Sequence, residues 1–567
     1  MSTTTFGTAT GTRKAITLDV DAHVGQRIKR MLAIAAPGPI RISRTAESAE
    51  DIEWIDRRYP LEWTPASLRD EIRWEARASR AAKEAADDII RGHEPPTAIE
   101  TAVPLRDYQL RGIEFLRLRK RCLCGDDLGL GKTAIAVGAA STEWGRPAVI
   151  VCQTHLQQQW QRELQKFAPG LTSHIAKKSD PTSYPSTEGK ADGAGYPDVY
   201  IVPYSKIARW ADWLIENNCG KFVAFDEAQE LRKTDSLKYA GAKALSEQAE
   251  YVIGLTATPV YNYGDEIHSI LSCIAPGELG TRDEFNREWC IHRGQGYRVR
   301  DAVALGTYLQ DRKLIIRRRR SDVGRELPPI NTIVKAIPFD EKRMAAVHHE
   351  SQELARQILH GTFEEAGQAT RLLDMKLRQA TGIAKAAYVS EFIDHLVESG
   401  EKIVLAGWHR DVYEVWMKTL KARAVLYTGS ESPKQKQESV DRFIDGEADV
   451  FIMSLRSGAG LDGLQTAASI LIIGELDWSP EVHNQIAGRL NRDGQDDSVT
   501  VCYMVAEGGS DPVLAGMLNL KGEQAAGIRD PKQEREGDLF TGSATVRQDD
   551  TKGRMLAKMV LAGMDAK

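Results

Sequence analysis

The sequence predicts an α/β fold of two parallel-sheet lobes joined through a helical region, on three observations. Between Leu105 and about Val505, short Val/Ile-rich apolar runs alternate with longer helical patterns, the signature of parallel strands covered by helices. The runs fall into two separate series. From about Asp265 to Gly400 strand signals nearly vanish and helical patterns take over. The 567 residues suit about four domain-sized pieces at roughly 150 residues each.

Along the chain, residues 1–100 read as an N-terminal accessory region, partly helical. An extended beginning leads to a charged, Ala-rich helical pattern from about Pro65 to Arg91, closed by Gly92 and the Pro95-Pro96 pair. Residues 101–264 form the first lobe, with strand runs at Pro147–Cys152, Val199–Val202, Phe222–Phe225 and Tyr251–Leu255. Ser179 to Pro197, dense in Ser, Pro, Gly and Asp, reads as an inserted surface loop. Residues 265–400 are a helical insertion and linker, with helical patterns over Lys342–Leu359 and Ala366–Gln379. Residues 401–508 form the second lobe, with runs at Lys402–Ala406, Ala424–Tyr427, Asp449–Met453, Ser469–Ile473 and Val499–Val505. Residues 509–567 are a Gly-rich, charged tail with a short helix near Lys552–Ala562.

Hydrophobic residues at 42% and charged residues at 27% exclude a mainly disordered, collagen-like or coiled-coil chain. The formal net charge of -5 means that a nucleic-acid partner would be met by a local basic groove, not by the whole surface. No stretch approaches the roughly 20 apolar residues that span a bilayer, and Met1 to Thr12 lacks the pattern of a signal peptide. A cytoplasmic protein without membrane contact is expected. The seven cysteines are scattered among apolar neighbours and read as reduced core residues; Cys122 and Cys124 have no second pair to complete a zinc site.

Chemistry concentrates at three places. Gly125-Asp-Asp-Leu-Gly-Leu-Gly-Lys-Thr133 lies between an apolar run and the helical pattern Ala134–Ala140, the strand, loop and helix order of a phosphate cradle. Gly129 and Gly131 let backbone amides turn inward, Lys132 reaches the β and γ phosphates, and Thr133 holds Mg²⁺. Strict spacing puts a glycine five residues before Gly131, where this chain has Asp126. At the end of the Phe222–Phe225 run stand Asp226 and Glu227, one carboxylate to hold Mg²⁺ and one to orient or deprotonate the attacking water. On a predicted helix of the second lobe, Arg489 and Arg492 lie three apart and share one face, suited either to fingers on a phosphate or to surface ion pairs.

Together these residues carry a family resemblance. From Leu105 to about Lys521 the chain resembles the SNF2 family of superfamily 2 helicase-like ATPases, with wording from Glu475 to Gln485 similar to its annealing-helicase-like branch and to bacterial or phage-borne members. Leu105–Gln109 looks like the adenine-recognition element, with Gln109 as the base reader, and Gly125–Thr133 like the first ATPase motif. Val149–Trp160, Asp226-Glu-Ala-Gln229, Leu255–Pro259 with Asn262, and Arg317–Pro329 follow in the family's order. Tyr427–Gly429, Ser454–Leu464, Glu475–Pro480 and Gln485–Gln495 continue it in the second lobe. The resemblance implies two tandem RecA-like lobes of the P-loop NTPase type, and nucleotide contacts from Gly458, Gly460 and Gln485. Departures are Gln229 for a common His, Ala257 for Gly, an extra Asp-Gly in Gly460–Leu464, and Asn491 for a common His.

The run Arg317–Arg320 reads most simply as a solvated helix end, and Trp160, Trp408 and Trp478 as packing residues. No metal role is expected beyond nucleotide-bound Mg²⁺.

The resemblance implies a DNA-dependent ATPase that binds ATP and Mg²⁺ and translocates on double-stranded DNA without sequence specificity, acting as a monomer near the nucleoid or in a host cytoplasm. A strand-separating DNA or RNA helicase of the same fold is the alternative. A nucleic-acid-binding scaffold gated by ATP without turnover is a further one.

Overall fold

A computed structural model of the chain describes all residues except 1–4, 13, 33, 35–37, 94, 182–195, 257–265, 294–295, 325–326, 456–460, 462, 520–538, 541–551 and 566–567. Two compact units result, one holding the described residues up to Ile291 with Tyr297–Arg319, the other those within His292–Gly296 and from Arg320 onward. Most of the loop expected at Ser179–Pro197 lies outside the described residues.

The first unit opens with a small α/β domain: β1 (Gly7–Gly11), β2 (Ala15–Val20), α1 (Ala22–Met31), β3 (Ile40–Ser43), α2 (Ala46–Arg58), β4 (Glu62–Thr64) and α3 (Ser67–Arg91). The strands lie in the order β3-β2-β1-β4, and β1 and β4 are parallel. Ile16, Leu18, Ile52, Ile55 and Ile72 meet in its core. The sequence pattern shows helix here but no sheet, because strands of three to six residues give too few alternations to register. At the far end α3 stops where predicted, with Gly92 at φ 74°.

The first lobe follows: α4 (Asp107–Arg119), β5 (Arg121–Cys124), α5 (Lys132–Ser141), β6 (Ala148–Cys152), α6 (Gln157–Phe167), β7 (Ser173–Ile175), β8 (Val199–Pro203), α7 (Ile207–Glu216), β9 (Phe222–Asp226), α8 (Leu237–Gln248) and β10 (Tyr251–Leu255). It continues with α9 (Glu266–Ile274), α10 (Arg282–Trp289), β11 (Cys290–Arg293), β12 (Gly296–Val299), α11 (Ala302–Asp311) and β13 (Ile315–Ile316). The sheet order is β13-β5-β10-β9-β6-β8-β7, with all paired neighbours parallel. Helices cover both faces, so β6, β8 and β10 are buried throughout and read as continuous apolar runs.

The second unit contains β14 (Ile330–Ile337), α12 (Glu341–Ala345), α13 (His348–His360), α14 (Phe363–Glu398), β15 (Ile403–Gly407), α15 (Arg410–Thr419), β16 (Ala424–Tyr427), α16 (Pro433–Ile444), β17 (Val450–Ser454), β18 (Ile470–Ile473), α17 (Pro480–Leu490) and β19 (Val499–Ala506). Its six strands run β14-β19-β18-β15-β17-β16, again all parallel. The helix Lys552–Asp565, longer than the one expected near Lys552–Ala562, packs on α13 and α14. Its Lys552 bonds Asp374 of α14 at 2.5 Å.

The boundaries expected at 264 and 400 are corrected. Each sheet takes an edge strand from the intervening region, β13 in the first lobe and β14 in the second. β13 is two residues long, and β14 has seven of its eight residues exposed, so neither carries the buried apolar run that marks the other strands. The expected helix over Ala366–Gln379 is part of the 36-residue α14. All seven cysteines are free and buried. Among the described residues, no helix is long and apolar enough to cross a membrane.

Candidate active site

One edge of the seven-stranded sheet collects the first group of candidate residues. Leu255, at the end of β10, pairs with Cys124 of β5 on one side and Asp226 of β9 on the other. The start of the glycine loop, Thr256 and Asp226 therefore leave three neighbouring strands in register, spanning about 10 Å at the usual strand spacing. This is the C-terminal edge, where open parallel sheets bind ligands.

The glycine loop enters α5 through Gly131, at φ 73°, with Gly129 at φ 81°. A Cβ on Gly131 would stand 2.4 Å from Gln109 Nε2, and at this positive φ any side chain is strained, so glycine suits the position. Gln109 is buried; its Nε2 donates to the Leu130 carbonyl (3.2 Å) and its Oε1 accepts from the Arg106 amide (3.0 Å). Lys132 Nζ donates to the carbonyls of Asp126 (2.7 Å) and Asp127 (3.0 Å), and Thr133 sits half-buried in the first turn of α5. The turn of glycines, the helix N-terminus and the lysine folded over the loop form a cradle that suits a polyphosphate.

Asp226 ends β9. Its Oδ2 accepts from Trp160 Nε1 (2.8 Å) and its Oδ1 from the Glu227 amide (3.0 Å), while Tyr204 donates its hydroxyl to the Asp226 carbonyl (2.8 Å). Burial pushes the Asp226 carboxyl well above the ordinary range, and the Glu227 charge adds to the push. A divalent cation on this carboxylate would offset both effects. Glu227 holds the left-handed conformation at φ 48°, uncommon for a residue with a Cβ. Its Oε2 accepts from Gln229 Nε2 (2.5 Å), and Gln229 Oε1 accepts from the Thr256 hydroxyl (2.7 Å). Gln229 thus joins the end of β10 to Glu227, and Trp160, expected only to pack, orients Asp226. Neither Tyr204 nor Thr256 stands out as an orienting group in the sequence, because the contacts join positions from separate strands.

The second-lobe candidates gather at the C-terminal edge of the other sheet. Glu475, just past β18, accepts from the amides of Trp408 (2.6 Å) and His409 (3.0 Å) and contacts His409 Nδ1 at 2.7 Å. These bonds, against the opposing effect of burial, hold its carboxyl below the usual range. Arg489 and Arg492 both donate from Nη1 to the Leu461 carbonyl, at 3.4 and 3.3 Å. They do not share a helix face as expected: α17 ends at Leu490, and Asn491 leaves the helix at φ -86° and ψ 79°. Arg320 fixes that turn, donating to Asn491 Oδ1 (2.8 Å) and to its carbonyl (3.0 Å). Gln485 is half-buried on α17. Gly458 and Gly460 lie outside the described residues, as do Ala257, Asn262 and most of Ser454–Leu464.

The expected solvated helix end at Arg317–Arg320 is also corrected. Arg318 is buried against Asp126, and Arg317 bonds Asp127 at 2.7 Å. The segment follows the edge strand β13 and is not helical, and Arg317 and Arg318 face the glycine loop and not water.

A pH dependence follows from His483 on α17. Its Nε2 accepts from the Asp477 amide (2.9 Å), which requires neutral imidazole. Burial lowers its pKa from 6.5 to about 4, with Asp477 opposing and Arg378 assisting. Between these values the unfolded chain binds more protons than the folded one, so the stabilisation is complete above pH 6.5 and is lost as pH falls through about 4. The contribution is on the order of 3 kcal/mol. His483→Gln should flatten the dependence of the melting temperature on pH across that window. An unchanged slope would assign the acid sensitivity elsewhere.

Comparison with known proteins matches the same stretch of chain. Residues 108–383 match the SNF2-related domain, and residues 384–494 the helicase conserved C-terminal domain. The chain belongs to the SNF2 family. Among its curated SNF2 relatives is the DNA annealing helicase and endonuclease ZRANB3 of Bos taurus, 28% identical over 464 residues, covering 76% of this chain and 42% of that protein. Another is the SWI/SNF-related matrix-associated actin-dependent regulator of chromatin subfamily A-like protein 1 of Drosophila melanogaster, 25% identical over 74% of this chain and 55% of its own length. The chain spans about half the length of these relatives. The Sulfolobus solfataricus SWI2/SNF2 ATPase core in complex with dsDNA is similar at 20% identity, covering 77% of this chain and 98% of that one, with a TM-score of 0.36. The fold assignment rests on the family matches and on the two parallel sheets, each a RecA-like lobe.

Proposed function

We propose that this SNF2-family chain is a DNA-stimulated ATPase that tracks along duplex DNA and remodels DNA or protein–DNA complexes. The observation that carries the reading is the alignment of the glycine loop, Thr256 and Asp226 at one sheet edge in a chain of this family. ATP with Mg²⁺ fits the residues present: the Gly131 cradle that a Cβ would fill, Lys132 for the β and γ phosphates, and Thr133 with the desolvated Asp226 for the cation. The bound nucleotide supplies the phosphoanhydride that is cleaved. Glu227, held by Gln229, orients the attacking water, and Gln109 reads the base beside the loop. Arg489 and Arg492 neutralise charge on the transferred phosphoryl group, with Gln485, Gly458 and Gly460 as further nucleotide contacts of the second lobe.

Glu227→Gln should retain ATP and Mg²⁺ binding through Lys132, Thr133 and Asp226 while losing turnover, because it removes the group that positions water and little ground-state affinity. Filter binding alongside phosphate release reads both quantities. Loss of nucleotide binding would instead make Glu227 a structural or metal-holding residue.

Duplex DNA should raise phosphate release severalfold. Since the chain is net acidic, its affinity should come from a local basic path, unspecific for sequence, with log affinity falling by roughly 0.9 per neutralised phosphate against log salt. The deciding experiment is ATP-dependent displacement of a triplex third strand beside a forked duplex. A duplex translocase displaces the third strand and leaves the fork closed. Efficient fork opening, or stimulation by RNA alone, would favour a strand-separating helicase, and absence of any turnover an ATP-gated scaffold.

A further inference from the structure

The Asp126 side chain, which stands where strict phosphate-loop spacing has glycine, has no solvent exposure. Arg318, 192 positions away along the chain, closes on it: Nε lies 3.1 Å from both carboxylate oxygens, Nη2 bonds Oδ2 at 2.5 Å, and the Arg318 backbone amide donates to Oδ1 at 3.0 Å. The remaining Nη1 donates to the Tyr108 carbonyl, one residue before Gln109. Gly112 leaves the room, since a Cβ there would meet Arg318 Nη2 at 2.9 Å.

Beside this pair the backbone continues the β13–β5 ladder into the loop. Gly125 donates to the Ile316 carbonyl (2.8 Å) and Asp127 to the Arg318 carbonyl (3.1 Å), while Arg317 Nη1 bonds the Gly125 carbonyl (3.0 Å) and Asp127 Oδ1 (2.7 Å). The first half of the loop is therefore clamped to residues 316–318. The two carbonyls on which Lys132 rests, those of Asp126 and Asp127, belong to the clamped stretch.

We propose that Arg318 is a positioning residue of the nucleotide site: by holding Asp126 it sets the path of the loop that carries Lys132 and the phosphate-facing amides. Asp126 is then the half of a two-residue device that replaces the conformational freedom of a glycine with a fixed anchor. A bidentate guanidinium–carboxylate pair fixes direction as well as distance, which a lysine cannot reproduce. The inference rests on the reading of this site as an ATP site.

The test compares the full chain with Arg318→Lys and with the double variant Asp126→Gly/Arg318→Met. The double variant removes both buried charges together and restores the standard glycine, so it keeps the question open to experiment should the single variant fail to fold. Titration with a fluorescent ATP analogue, thermal melting and amide hydrogen exchange are read together. The expected result is folded protein whose nucleotide affinity is weakened roughly tenfold or more, with faster exchange confined to Gly129–Thr133. Folded variants that bind nucleotide and exchange at these amides as the parent does overturn the proposal. Faster exchange spread evenly over the lobe also overturns it, by making the pair a general structural bond. If the parent chain itself binds no nucleotide, the reading of the site fails first, and the two failures are told apart.

Discussion

Lys132→Ala should abolish ATP hydrolysis, with a loss of at least about 10²- to 10³-fold in phosphate release and the rest of the first lobe folded as before. Lys132 opens α5 and its ammonium rests on two loop carbonyls, so the charge is stored within reach of the cradle before any nucleotide arrives. Its truncation leaves those carbonyls beside a half-exposed position, where water replaces the lost bonds, and the melting temperature should move little. What is lost is a cation aimed at charge on the β and γ phosphates, which no neighbouring side chain supplies from the same loop. Turnover equal to that of the parent would mean that the loop is not the phosphate site.

Arg492→Ala and Arg489→Ala should each lower turnover by roughly 10³-fold or more while ATP affinity changes far less, the pattern of an arginine that meets only the transition state. Both guanidiniums donate to the same carbonyl, that of Leu461, so removing either leaves the other to satisfy it. Thermal melting read beside the kinetics separates a fold cost from a rate loss. Single-turnover kinetics together with nucleotide binding decides the matter. Equal losses of binding and rate in both variants would indicate a folding role at the end of α17, and unaltered kinetics a surface role.

The sheets and the carboxylate pair were legible because their signals are local. A strand buried on both faces is a continuous apolar run, and the glycine loop and Asp226-Glu227 directly follow such runs. The accessory sheet of the N-terminal domain and the edge strands β13 and β14 were not legible, being short or exposed. The parts of the site that escaped are those made by pairs distant in sequence. Arg318 reads as one cation in a basic run until Asp126 is found against it, and Trp160 as packing until its indole N–H is found on Asp226. Arg492 lies off the expected helix for a different reason: the helix periodicity runs on past Leu490, while Arg320 holds Asn491 in a turn. Propensity is local there and the decisive contact is not.

The burial of every cysteine has a practical side. Cys122, Cys124 and Cys152 sit in the central strands of the first lobe, where burial drives their thiols far above the pH at which a thiolate forms. Thiol reagents act through the thiolate, so the folded chain is close to silent toward maleimides at neutral pH. A cysteine introduced at an exposed position such as Lys434 on α16 or Lys166 on α6 becomes the reactive one against that background. Fluorophores can be attached to each lobe without first stripping the natural cysteines, in otherwise unaltered protein.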